Sequence, residues 1–396
     1  MKGHSLLMTN SVLLSRRSFS MSFVGLLLCS CASRPVSGAL VPTDKPAPGA
    51  KDHKILIATT RSRTDTPNTL FDGERSGGRD FAQAVISVPP THVSGAIEWP
   101  AVLPGDPAKE MVPRSTGYLE DATAFRQALK SELAARPPKD RVVLLFIHGY
   151  NTLFAEGLYR FTQVVHDSAF PGVPVLFTWA SRGDVRDYVY DLNSATVARD
   201  ELQATLEDLA ASGAAEINIL AHSMGTWLLM ETLRQMTPAQ RNRINQVVLA
   251  APDIDLDVFK DQMQRIGKLK SPLILLLSRD DRALGVSRLI AGGMARVGGY
   301  DDDAALAKLG AVVVDLTDLK GPDPTNHSKF AALAAIAPQL SSVLGQNKLD
   351  VPNGDGGALA STGRTLGSFV TGTVNIAVTL PVTLVTTPVE IVMGGR

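Results

Sequence analysis

The feature that most restricts this chain is an alternation. Apolar runs of strand length recur at KILIATT (54–60), RVVLLFIHG (141–149), VPVLFTW (173–179), EINILA (216–221), INQVVLAAP (244–252), SPLILLLS (271–278) and GAVVVDL (310–316). Unbroken apolar runs of this kind read as strands buried on both faces. Between them lie stretches with apolar residues at every third or fourth position, the pattern of amphipathic helices: TAFRQALKSELAA, TLFAEGLYRFTQVVHDSAF, SATVARDELQATLEDLAAS with Ser194 or a neighbour as its N-cap, MGTWLLMETLRQM, DVFKDQMQRI and HSKFAALAAIAPQLSSVL. Strands that alternate with helices of this length need crossover connections. The expectation is therefore an α/β fold whose mostly parallel sheet is covered by helices on both faces. AQAVISVPP and GAIEWP read as further short strands. In such a sheet the ligand site lies beyond the carboxyl ends of the strands, so the residues just after LLFI, LFTW, NILA, VVLA and LILLL are the ones to inspect.

Composition narrows the function. With 39 basic and 39 acidic residues the formal net charge is zero, and no basic stripe interleaved with aromatics appears, so no nucleic-acid partner is expected. The seven histidines are scattered, without HxxxH or CxxC spacing, so no metal and no cofactor are expected. Both cysteines, Cys29 and Cys31, lie near the start, which leaves the body without a thiol or disulfide.

The opening stretch reads as an address. SRRSFSMSFVGLLLCSCAS has a basic pair, a short apolar run and then small residues, the layout of an export signal. Arg16-Arg17 followed by Phe19 resembles a twin-arginine signal, and LCSC resembles the bacterial lipobox, with Cys31 the lipidated residue. These features imply a periplasmic or cell-envelope protein anchored to a membrane through lipid. The expected divisions are 1–31 export signal, 32–52 a Pro/Ala-rich tether, 53–344 the folded domain, 345–365 a linker, and 366–396 an apolar Val/Thr-rich segment. That last segment is uncharged from Leu366 to Val389. Three readings remain open for it: membrane-surface contact, a strand pair docked on the body or on a second subunit, or a transmembrane helix, which its threonines, prolines and glycine disfavour.

The chemistry centres on ILAHSMG (219–225). Ser223 ends a strand and opens a helix, the setting of a nucleophile elbow. The elbow needs small residues on both sides because the turn is strained and tightly packed. Gly225 supplies one, and Ala221 stands where the first glycine is usual. In hydrolases built on such a sheet the triad runs Ser, acid, His along the chain. Only His327 of the seven histidines follows Ser223, and it sits in a polar loop directly after GAVVVDL. The strand before that one delivers two candidate acids, Asp280 and Asp281. An oxyanion hole needs backbone N–H groups from the residue after the serine, Met224, and from an earlier strand–helix loop, here FIHGYN with Tyr150 as donor and Gly149 permitting close approach. His148 reads as structural, holding that loop by hydrogen bonds, and His222 as a packed neighbour of the elbow that could touch the acid side of the site. WASRGDVRDYVYDLNSA (179–195) is a candidate pocket wall, with Trp179 and Tyr188 as substrate-binding residues and Tyr190 beside them. Simple packing of a long loop is the competing reading.

From about Lys54 to Leu344 the chain resembles the α/β-hydrolase superfamily, and within it a bacterial branch of esterase/lipase-like proteins of unassigned function. ATTRSRTD, FIHGYNTLFAEGLYRF, FTWASRGDVRDYVYD, ILAHSMGTWLLMETL, LAAPDID, SRDDRAL and NHSKF carry the resemblance. It implies Ser223 as nucleophile, His327 as base and Asp281 as orienting acid. Asp280 and then Asp253, one strand earlier, are the alternatives. The implied activity is a serine carboxylester hydrolase working through an acyl-enzyme on a small acyl ester. Amide, thioester or acyl-transfer chemistry on the same triad, or an inactive envelope scaffold, are the other readings. Only about twenty residues separate VVLAAP from LILLL, so no large cap domain is expected.

Overall fold

The structure is a computed structural model that describes residues 38–333, 365–371 and 374–380. The expected export signal with Cys31, almost all of the expected linker and the end of the chain lie outside the described residues. An eleven-stranded sheet runs through the body: β1 (Lys51–Arg63), β2 (Phe71–Val88), β3 (Val112–Leu119), β4 (Val142–Ile147), β5 (Val173–Thr178), β6 (Glu216–His222), β7 (Gln246–Ala250), β8 (Ile274–Leu277), β9 (Val312–Asp315), β10 (Thr365–Thr371) and β11 (Val374–Thr379). Its order is β10-β11-β9-β8-β7-β6-β4-β5-β1-β2-β3. The strands from β9 to β1 are parallel neighbours, and β2, β3 and the β10–β11 pair add antiparallel edges.

The helices are α1 (Ala122–Ala134), α2 (Phe154–Asp167), α3 (Tyr188–Val197), α4 (Arg199–Ala210), α5 (Met224–Gln235), α6 (Pro238–Arg241), α7 (Leu256–Ile266), α8 (Arg282–Ile290), α9 (Asp303–Lys308) and α10 (Lys329–Leu333). Alternate residues of the central strands feed two apolar clusters, one on each face. Leu145, Ile147, Ile219, Ala221 and Leu249 go to one side with α1, α4, α5 and α7. Phe146, Leu176, Leu276 and Val314 go to the other with α2 and α10. Burial on both faces explains why these strands read as unbroken apolar runs.

The antiparallel edges were harder to read. β2 extends well before AQAVISV because its polar half, Phe71–Asp80, is held by pairing with β1 rather than by an apolar face. GAIEWP forms no strand: Ala96 and Trp99 close tight turns onto Val93 and Ile97, and the Trp99 ring packs 4.8 Å from Tyr159. Ser194 caps no helix. The stretch from Tyr188 is already helical, and Tyr188, Asp191, Ser194 and Ala195 form its buried stripe. The described part of 366–396 is a hairpin whose second strand pairs with β9. Among the described residues no helix is long and apolar enough to cross a membrane.

Candidate active site

Ser223 stands between β6 and α5, almost fully buried, with φ 53° and ψ −125°. A non-glycine residue at positive φ stores about 1–3 kcal/mol of strain. Here the neighbours enforce it. Ser223 N–H donates to the Ala250 carbonyl at 2.9 Å, and its own carbonyl accepts from Thr226 N–H and Oγ at 2.9 and 2.6 Å. The elbow then leaves room for no bulk. A Cβ on Gly225 would stand 2.3 Å from the His148 carbonyl oxygen, and one on Gly149 would stand 2.7 Å from the Ser223 Cβ. Ala221 is fully buried in strand pairing with Ile147 and Leu249. A methyl is thus tolerated at the first elbow position but not at the second.

His327 follows β9. Its Nδ1 lies 2.7 Å from Oδ2 of Asp281, which follows β8, and the other oxygen of Asp281 accepts from Leu284 N–H at 3.0 Å and caps α8. One carboxylate therefore anchors a helix and orients an imidazole at once. The imidazole's Nε2 is left for chemistry. Among the described residues no hydrogen bond joins it to Ser223 Oγ, and contacts of this kind commonly tighten only when substrate binds. Burial opposes charge on His327, but the charge and hydrogen bond of Asp281, then Asp253 and Asp323, outweigh it and raise the pKa above the usual histidine value.

The loop that carries His327 is heavily braced. Asp323 accepts from the N–H groups of Thr325 (2.9 Å), His327 (3.3 Å) and Ser328 (2.8 Å). Arg282 N–H donates to the Thr325 carbonyl at 2.9 Å, which ties the helix that Asp281 caps to the His327 loop. His222 Nε2 lies 3.1 Å from the His327 carbonyl, so that nitrogen carries the proton and donates. Burial and the neighbouring His327 push the His222 pKa well down, which keeps the ring neutral. Asp280 meets Lys329 Nζ at 2.6 Å and Asn326 Nδ2 at 2.8 Å, two residues after and one before His327.

Asp253 lies in a different network. Its Oδ1 meets Ser287 Oγ at 2.5 Å and Arg296 Nε at 3.2 Å, and its Oδ2 accepts from Tyr188 OH at 3.3 Å. The Arg296 contact is one of charge rather than of aligned hydrogen bonding.

The loop carrying Tyr150 is set by a buried arginine. Arg61 is fully buried and donates to the carbonyls of Asp72 (3.0 Å), Ser181 (2.8 Å) and Thr152 (2.7 Å) and to Thr178 Oγ1 (2.8 Å). Asp191 completes the frame by accepting from Asn151 N–H (3.0 Å), Ser181 Oγ (2.6 Å) and Arg182 N–H (3.1 Å). The Tyr150 N–H has no partner among the described residues. Met224 N–H heads α5, where first-turn N–H groups lack intrahelical acceptors.

Trp179 is not a pocket wall. It is fully buried, its ring stacked on His148 at 5.0 Å and its Nε1–H donated to the His148 carbonyl at 3.0 Å. His148 is held by Thr178 Oγ1 at 2.8 Å, and burial beside Arg61 lowers its pKa to about 3, so it is a neutral strut. Tyr188 is also buried, with its hydroxyl in the Asp253–Ser287 network and its ring 5.1 Å from that of Tyr150. Both were expected to line a pocket because aromatic residues at a strand end read the same whether they wall a site or pack behind it. Arg61 and Asp323 are given no role by the sequence, because neither arginine of ATTRSR carries a local signal of burial.

Residues 121–345 match a family described as alpha/beta hydrolase of unknown function (DUF900). No curated protein matches the chain. Three solved structures are similar. Aspergillus fumigatus lipase B is 13% identical over 48% of this chain and 47% of that one, with a TM-score of 0.28. A Trichoderma reesei cutinase in complex with a phosphonate inhibitor is 14% identical over 56% and 90%, with a TM-score of 0.28. Phospholipase PlaB from Legionella pneumophila is 10% identical over 44% and 47%, with a TM-score of 0.25. The chain spans about half the length of the lipase and of the phospholipase. The family match covers more than half of the 396 residues, and the chain belongs to the alpha/beta hydrolases of unknown function.

Proposed function

We propose that the protein is a serine carboxylester hydrolase with Ser223 as nucleophile, His327 as general base and Asp281 as the acid that orients it. The observation that carries this reading is the 2.7 Å pairing of Asp281 with His327 Nδ1 beside a serine held at φ 53° on a strand–helix elbow. A serine hydroxyl is a weak nucleophile. His327 Nε2 takes its proton as Oγ attacks the ester carbonyl, while Asp281 keeps the other nitrogen protonated. The N–H groups of Met224 and Tyr150 receive the oxyanion, one such donor being worth about 10²–10³ in kcat. The imidazolium then protonates the leaving alcohol. Water, activated by the same histidine, releases the acid from the acyl-enzyme.

The substrate proposed is a short acyl ester. The β7–β8 connection, residues 251–273, holds a single helix and leaves no room for a cap. The loop that follows β5 carries Arg182 paired with Glu74 at 2.8 Å and Arg186 paired with Asp184 at 2.5 Å. Burying a long chain against such groups costs their solvation. Lipidation of Cys31 would place this site in the cell envelope. A fluorophosphonate probe is expected to label the wild type and not Ser223→Ala, and that variant should lose about 10⁵–10⁶ of kcat on p-nitrophenyl butyrate. Absence of labelling in the folded wild type would reject the enzyme reading. Faster turnover of long-chain than of short-chain esters would reject the substrate class.

A further inference from the structure

The scattered histidines are not scattered in space. Three of the seven, His53, His92 and His166, meet at the amino end of the sheet. The His53 and His166 rings are 5.2 Å apart between centroids, and those of His92 and His166 are 5.0 Å apart. His53 precedes Thr59, the last β1 residue paired with β5, by six positions, which at about 3.3 Å per residue puts it some 20 Å from the carboxyl edge and Ser223. His166 ends α2, which starts beside the Tyr150 loop and runs back across the face. His92 and Glu98 come from the connection between β2 and β3, where the expected strand GAIEWP is absent.

We propose that this cluster is a binding site for a divalent transition metal of the zinc class, with His92, His166 and Asp167 as its protein ligands. One nitrogen of each of these histidines and one oxygen of Asp167 lie within 4.8 Å of one another. Each ligand is already oriented by a second contact. His92 Nδ1 is 2.9 Å from Glu98 Oε2, which leaves Nε2 facing Asp167 Oδ1 at 2.9 Å. His166 Nδ1 is 3.0 Å from His53 Nε2, which leaves its Nε2 to bind. Asp167 Oδ2 is fixed by Ser94 Oγ (3.0 Å), Gly95 N–H (2.7 Å) and Gln163 Nε2 (2.5 Å), so Oδ1, which faces His92 Nε2, is the oxygen that would ligate once that contact is exchanged for the ion. Histidine ligands whose other nitrogen is held by a carboxylate or another acceptor are what zinc sites require. Two ligand atoms bound tetrahedrally at ~2.0–2.1 Å stand roughly 3.3 Å apart, so the His92–Asp167 pair needs to open only slightly. Glu98 and Asp167 together balance a dication. The side chains of His92 and Asp167 are only 5% and 3% exposed, so the ion would be shielded from water on the protein side, with a water completing the set. Such an ion would staple β1, the β2–β3 connection and α2 in a body that has no disulfide.

The test uses the full chain without a histidine tag, stripped with chelator, and titrated with zinc against a chromophoric competitor. One zinc per chain and a rise in Tm with added zinc are expected. Cobalt(II) should give d–d bands without a thiolate charge-transfer band. Asp167→Asn should abolish stoichiometric binding. Glu98→Gln, which leaves every ligand in place, should weaken it about 10–100-fold and keeps the test alive if the first variant does not fold. His327→Ala should retain the zinc, because it alters only the other histidine pair. No zinc in the wild type, equal binding by folded Asp167→Asn, or loss of binding in His327→Ala would each overturn the proposal.

Discussion

The loops after β7 and β8 each offer an aspartate near His327, yet they are built for different work. Asp253, after β7, spends both oxygens: Ser287 and Arg296 on one, Tyr188 on the other. Asp281, after β8, spends one oxygen on the first turn of α8 and presents the second to His327. Both are buried. An acid that orients an imidazole must have one oxygen held rigidly and the other unclaimed by a cation. A carboxylate facing an arginine has its charge already compensated and acts as a brace.

Three substitutions test that contrast, and the largest effect belongs to Asp281→Asn. If Asp281 fixes the imidazole tautomer, kcat should fall about 10⁴-fold with KM little changed. Asp253→Asn should leave kcat within about tenfold. It should instead cost stability, about 1–3 kcal/mol in chemical denaturation, because it removes one of the two carboxylates, Asp253 and Asp255, that balance the buried Arg296. If the activity losses came in the reverse order, the roles of the two loops would be exchanged.

The pH profile sharpens the same contrast. His327 must be neutral to act as base, so kcat/KM falls as pH drops through its pKa in the free protein. Asp281 chiefly raises that pKa against the effect of burial, with Asp253 and Asp323 adding to it. The acid limb should therefore lie above the ordinary histidine value of about 6.5. The linked stability has the opposite trend: it is fully present below the unfolded histidine pKa and is lost as pH rises through the raised folded one. In Asp281→Asn the acid limb of the residual activity should move to lower pH, and in Asp253→Asn it should move less. A limb unchanged by either variant would mean that another group titrates.

How far the sequence could be read follows from what each inference depended on. The central strands and the elbow were legible because burial on both faces and a strained turn leave local marks: unbroken apolar runs, and a serine between small residues. His327 was singled out by chain order and by its loop after GAVVVDL, and it lies 2.7 Å from Asp281. The choice among Asp253, Asp280 and Asp281 was not fixed by spacing, since it depends on where Arg296, Lys329 and Leu284 N–H come to lie in three dimensions. The same holds for His222, which reads as a packed neighbour and serves to hold the His327 carbonyl. It also holds for His53, His92 and His166, whose separation in sequence conceals that β1, α2 and the β2–β3 connection meet at one edge. Trp179 shows the opposite error, a local signal that fits two environments equally well.

The smallest effect expected is at Asp280, which sits one residue from Asp281 and touches no ring. It pairs with Lys329 and Asn326, the residues that flank His327, and accepts from Ser278 Oγ at 2.5 Å. Its pKa is held down, against desolvation, by Lys329 and Ser278. Asp280→Asn keeps a hydrogen-bonding group of the same shape but removes the charge opposite Lys329, whose ammonium also donates to the Leu316 and Thr317 carbonyls and so stays solvated by the chain. The base loop would loosen without losing Asp323, Arg282 or His222 as restraints. Since a misplacement of about 1 Å in a catalytic group can cost 10²-fold, a loop held at three other points should lose less, roughly three- to tenfold in kcat, with the acid limb of the pH profile unmoved. A p-nitrophenyl ester assay across pH on Asp280→Asn and Asp281→Asn side by side decides it. Equal losses would mean that the two aspartates act on the imidazole together, and that the division between orienting acid and loop brace drawn from their contacts does not hold.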